Sequence, residues 1–119
     1  MTVRELLEYL SDQSDESQLY INAFLDEFRA APPAARPAMI AAGPQRSGAS
    51  EGLVAAVVSA LCREVDLEPP AWVARTVSPA PFFVFPARSF ALRLRLMLES
   101  PPPFRSRNVF VPENYLARA

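Results

Sequence analysis

Ser50-Glu-Gly-Leu-Val-Ala-Ala-Val-Val-Ser-Ala-Leu-Cys-Arg-Glu-Val65 is the stretch whose reading decides the fold. Leu53, Val54, Val57, Val58, Leu61, Cys62 and Val65 recur at helical spacing across roughly four turns. Small Ala55, Ala56, Ser59 and Ala60 cover much of the remaining surface, so other elements can approach from several sides. Ser50 and Glu51 put a capping residue and an acid at the start. The pattern predicts a central helix with shorter pieces packed around it, in a mainly all-α chain.

Upstream, Thr2 stands three residues before Glu5, the spacing of a capping box, and Val3, Leu6, Leu7 and Leu10 form one apolar face. Ser14, Asp15 and Glu16 open a second helix whose buried stripe is Ile21, Phe24, Leu25 and Phe28. Pro32-Pro33 stops it. A short helix over Ala34–Ala42 is expected, with Pro37 in its first turn. Gly43-Pro44 ends that piece, and Gln45–Ser50 reads as a loop.

Downstream, Pro69-Pro70-Ala71-Trp72 makes a rigid turn into a short helix reaching Arg75. Ser78–Pro81 cannot be helical, and Phe82–Phe85 is an aromatic run for which strand and loop stay open. Pro86 suits the first position of a helix over Ala87–Glu99. In that helix Phe90, Leu94, Met97 and Leu98 share one side, with Leu92 and Leu96 offset. Trp72 and Phe90 are expected in the core.

After Ser100 the prolines predict an extended segment that Phe104 anchors on the body. Asn108–Val111 is β-prone, and Pro112 and Glu113 begin a last turn with Leu116 pointing inward. The expected architecture is a single domain over residues 1–119, of about five short helices. It has a Pro/Phe-rich irregular segment and room for one short β piece near the C terminus. Residues 1–30 supply acidic helices, and residues 50–119 supply the core with an Arg/aromatic C-terminal segment.

Composition excludes much chemistry. The 119 residues include no His, one Cys and three Gly against thirteen Pro, and every basic side chain is Arg. Without His the commonest general base and metal ligand are missing, so no catalytic site, metal site or cofactor is expected. There is no Gly-rich phosphate loop. Lone Cys62 fits a reducing compartment and a buried small hydrophobe. Arg4 and Glu5 break any apolar run near Met1, and no stretch approaches the roughly 18 apolar residues of a membrane span. A cytoplasmic protein is expected.

The net charge of −1 hides a gradient. Residues 1–30 carry seven acids against two Arg, a net −5; residues 75–119 carry seven Arg against two acids, a net +5. The two ends can satisfy each other, or the basic end can meet an acidic partner. Aromatics and Arg are enriched at interaction hot spots. That makes Phe82, Phe83, Phe85, Arg93, Phe104, Arg105, Arg107 and Phe110 the candidate partner-binding residues. The rival reading of the rings is core.

Leu53–Val65, Pro69–Trp72, Phe82–Pro86 and Glu99–Ala119 together resemble a group of small actinobacterial-type proteins. These share an Ala/Val-rich helix, a P-P-A-W turn, an aromatic–proline stretch and an ending like E-S-P-x-x-F-R-x-R-N-V-F-V…L-x-R-A. The resemblance covers about the last two-thirds of the chain. Some of those proteins look like antitoxins of toxin–antitoxin pairs, beside a nucleotidyltransferase-like toxin. It implies a non-enzymatic inhibitor that neutralises a protein partner by direct contact, in a hetero-oligomer. A DNA-binding regulator using the Ala87–Glu99 helix stays open, as does a structural subunit of a hetero-oligomer.

Overall fold

Among the described residues 60% are helical, in seven α-helices and one 3-10 turn, with one pair of two-residue parallel strands, so the protein is mainly all-α as expected. The computed structural model describes residues 1–11, 16–84 and 89–118. The chain forms two units, Met1–Gln45 with Arg118, and Arg46–Ala117.

In the first unit, α1 spans Val3–Ser11. Its capping box forms: the Glu5 amide donates to Thr2 Oγ1, and the Thr2 amide donates to Glu5 Oε1, each at 3.2 Å. Val3, Leu6 and Leu10 are the buried face, and they pack toward α2, Ser17–Ala30. Tyr9 stacks on Tyr20 with ring centroids 4.8 Å apart. On α2 the expected stripe of Ile21, Phe24, Leu25 and Phe28 is buried. The expected start of α2 at Ser14 and Asp15 lies outside the described residues.

Pro32 follows α2, and a 3-10 turn, Pro33–Ala35, leads into α3, Arg36–Ile40, with Pro37 in the first turn. Arg36 reaches back to the end of α2. Its Nε donates to the Phe28 carbonyl at 3.1 Å and its Nη2 to the Arg29 carbonyl at 2.9 Å. These are the carbonyls a helix end leaves without partners.

Arg118 grips Asp26 through two parallel bonds, Nε to Oδ1 and Nη2 to Oδ2, both 3.1 Å. These hydrogen bonds hold the Asp26 pKa below its ordinary value against a smaller opposing desolvation, helped by the charges of Arg118 and Arg29. A lowered carboxyl pKa stabilises the fold above the ordinary carboxylate range, and the effect fades as pH falls through the lowered midpoint. Carboxyl NMR titration is expected to place Asp26 below ordinary aspartates, and Arg118→Ala to return it upward. An Asp26 midpoint that Arg118→Ala leaves in place would refute the pairing.

In the second unit, α4 runs Ala49–Glu64. It is the predicted central helix: Gly52 through Val58, Leu61 and Cys62 are all buried, and α5, α7 and β2 pack on it. Its end is a Schellman turn. The Leu67 amide bonds the Cys62 carbonyl at 2.8 Å, and Asp66 takes the left-handed conformation, φ 56°, usually given to Gly. The short helix α5, Ala71–Arg75, follows the Pro-Pro turn and buries Trp72 and Val73.

Strand β1, Phe82–Phe83, pairs in parallel with β2, Val109–Phe110, with Phe82 opposite Val109 and Phe83 opposite Phe110. Between them lie α6, Phe90–Glu99, and α7, Pro102–Arg105. Ser89 caps α6, its side chain accepting from the Leu92 amide at 3.1 Å. The predicted start of that helix at Pro86 and Ala87 lies outside the described residues.

Residues 102–105 form a one-turn helix where an extended entrance was expected. Pro102 and Pro103 occupy its first turn, where a missing N–H leaves no bond unmade. This turn explains part of the excess over the five helices expected.

Candidate functional site

The C-terminal segment is a clasp within its own unit. Phe104, Val109, Phe110, Val111 and Tyr115 are buried, and Phe104 meets Tyr115 edge-on with ring centroids 5.6 Å apart. Ser100, also buried, accepts from the Val111 amide at 2.8 Å and has the Leu96 carbonyl 2.6 Å from its hydroxyl. Arg107 donates Nε and Nη2 to the Val73 carbonyl, at 3.2 and 3.1 Å, and Nη1 to the Pro103 carbonyl at 2.8 Å. Burial lowers the pKa of its guanidinium. Asn108, left-handed at φ 65°, accepts from the Phe82 amide through its carbonyl and donates from its side chain to the Ser78 carbonyl.

Three of the candidate contact residues are therefore corrected. Phe104 is 0% exposed and Phe110 5%, so both rings fill the core, and Arg107 is engaged with internal carbonyls. The physical reason is that proline-rich backbone packs few side chains of its own, and large rings fill the space beside it. Tyr115, rather than Leu116, points into the core; Leu116 is half-buried. Phe82 and Phe83 are half-buried, Arg93 and Arg105 are exposed, and Phe85 lies outside the described residues.

A second correction concerns α6. Phe90 was expected in the core and is 79% exposed, and Leu94, Met97 and Leu98 are exposed with it. Leu96 alone of this helix is buried, packed with Phe110 and against Phe83. The helix is apolar on nearly every side, so periodicity could not choose the inward face; contact with β2 chose it.

The outward face of α6 is the candidate site. Successive residues turn by about 100°. Met97, Phe90, Leu94, Leu98 and Ala91 therefore form one stripe roughly opposite Leu96. Arg93 borders the stripe on one side, its guanidinium 5.7 Å from the centre of the Phe83 ring. Arg95 borders it on the other, with Nε 3.3 Å from Glu99 Oε2. The Glu113 amide bonds Glu99 Oε1 at 3.2 Å and brings Glu113 to the same border. A groove of about 490 Å³ lies there, lined by Ala91, Leu94, Arg95, Leu98, Glu99 and Glu113.

This surface offers leucines, a phenylalanine ring, guanidinium groups and carboxylates. Among the described residues no group of three or more Cys, Asp or Glu side chains is placed to hold a metal ion. Cys62 is buried on α4, and desolvation pushes its thiol pKa up, away from the reactive thiolate. Among the described residues no helix is long and apolar enough to cross a membrane.

No protein-family model matches the chain, no curated protein matches it, and no solved structure matches it.

Proposed function

We propose that this protein is a non-catalytic binding module, an antitoxin-like inhibitor that holds a protein partner on the outward face of α6. One observation carries the reading: of eight large hydrophobic side chains exposed among the described residues, five belong to this one ten-residue helix, and four of these, Phe90, Leu94, Met97 and Leu98, share its outward face. Scattered exposed apolar residues are ordinary, whereas a contiguous patch marks a contact surface. The commitment of several Arg to internal partners favours protein over nucleic acid. Arg36 caps α2, Arg107 holds internal carbonyls and Arg118 holds Asp26. DNA binding draws on guanidinium groups turned toward phosphates.

The inhibitor role rests on the resemblance of residues 53–119 described above, and co-expression tests it. The product of the reading frame beside this gene is expected to arrest growth, and this protein to restore it. The double variant Phe90→Ser, Leu98→Ser alters only exposed positions and should stay folded by circular dichroism while losing protection. A harmless neighbour would overturn the antitoxin reading. Protection unchanged in the folded double variant would overturn the use of α6.

A further inference from the structure

We infer that α6 is a strap latched by one side chain, Leu96, and that it opens and melts while the rest of the Arg46–Ala117 unit stays folded. The inference concerns how the helix is held and does not depend on what meets its outward face.

Eight of the ten residues of Phe90–Glu99 are exposed, Glu99 is half-buried, and Leu96 alone is buried. On α4, by contrast, nine of sixteen residues are buried. Burial of apolar surface is the main favourable term in docking an element, so α6 is attached far more weakly than α4. Leu96 packs with Phe110 and against Phe83, rings whose centroids lie 5.1 Å apart. Arg93 over the Phe83 ring and the Glu113 amide on Glu99 Oε1 add contacts at exposed positions, where water competes for them. The Arg95–Glu99 pair lies one turn apart on α6 itself, so it supports the helix without docking it.

Docking and helix therefore rise and fall together. Ten residues fall short of the roughly 12–15 at which an isolated helix becomes even marginal in water. Once Leu96 leaves Phe83 and Phe110, α6 loses its buried anchor, its backbone bonds open, and the ring pair is uncovered.

Ser100 marks where the opening stops. It is buried, and its hydroxyl oxygen accepts from the Val111 amide at 2.8 Å. The hydroxyl lies 2.6 Å from the Leu96 carbonyl and 3.0 Å from the Val111 carbonyl. When α6 melts, the proton can turn from the first carbonyl to the second, so the joint to Val111 survives without an unmade bond.

Amide hydrogen exchange of the full chain, read by NMR, tests this. Amides of residues 94–99 are expected to exchange at least about a hundredfold faster than those of Val57, Val58 and Leu61. Their urea dependence should be shallower, because opening the strap exposes less surface than unfolding the unit. The Val111 amide should stay with the slow group. Leu96→Ala should speed the α6 amides by about tenfold or more. Phe104→Leu weakens a core that stays folded whether the strap is shut or open. It should therefore speed exchange in α4 and leave α6 unchanged.

Exchange of residues 94–99 as slow as that of α4, with the same urea slope, would overturn the separate opening. So would Phe104→Leu speeding both helices alike. Absence of any protection in α6, or α6 rates that Leu96→Ala leaves in place, would overturn the latch.

Discussion

Phe104→Ala is expected to destabilise the Arg46–Ala117 unit by about 3–5 kcal/mol, the range for emptying a buried aromatic site. The ring is wholly buried and lies edge-on to Tyr115. It sits on α7, which packs on α4 and on β2. The turn of α7 is itself held by hydrogen bonds, from Arg107 to the Pro103 carbonyl and from the Phe104 amide to the Pro101 carbonyl. Collapse into the hole would strain those bonds, which argues for the upper part of the range. Urea unfolding followed by the fluorescence of Trp72, the chain's single Trp and a buried residue of the same unit, measures it directly. Phe104→Leu should recover much of the loss. A loss for Phe104→Ala below about 1 kcal/mol would refute the core position. The same result bears on function. Truncation from Phe104 onward removes core, so it cannot separate a contact role from loss of folding.

Gly52→Val should be of similar size, and here two effects compete. Gly inside a helix costs about 1 kcal/mol relative to Ala, so replacement by itself would help. Gly52, however, faces backbone. A Cβ added there would stand 2.6 Å from the Ser78 amide nitrogen and 3.1 Å from the Val77 carbonyl carbon. That backbone has little room to retreat, because the Ser78 amide donates to the Arg107 carbonyl at 2.9 Å and the Ser78 carbonyl accepts from Asn108. Overpacking of this kind costs roughly 1–3 kcal/mol for small additions and more for branched ones. Gly52→Val is therefore expected to lose about 3 kcal/mol or more, and Gly52→Ala a smaller amount of the same sign. Urea midpoints of the two variants check the order. A rise in stability for Gly52→Ala would mean that the Ser78 backbone yields and that propensity wins.

Between Phe104 and Gly52 lies the boundary of what could be read in advance. Phe104 was legible as an anchor because it follows three prolines. Its depth was not, and so it also stood among the contact candidates. For Gly52 nothing in the local sequence announced that residues 77 and 78 would pass over it; a glycine in an Ala/Val-rich helix reads as one more small residue. The left-handed Asn108 and the pairing of residues 82–84 with 108–110 were equally out of reach. Contacts between segments more than twenty residues apart leave no periodic trace in either one. The engagement of Arg107 with the Val73 carbonyl, thirty-four residues away, belongs to the same class.

Local chemistry by itself determined α1 with its capping box, the buried stripe of α2, α4 as the central helix, the placement of Pro37 and the turn into Trp72. Each depends on neighbours within a turn or two, where side-chain spacing and missing N–H groups are decisive. Only the tertiary structure decided the outward face of α6. That helix is apolar almost all round, so its own residues rank no side as inner. Packing of Leu96 onto Phe110 and Phe83 turned one side in and left Phe90, Leu94 and Leu98 exposed.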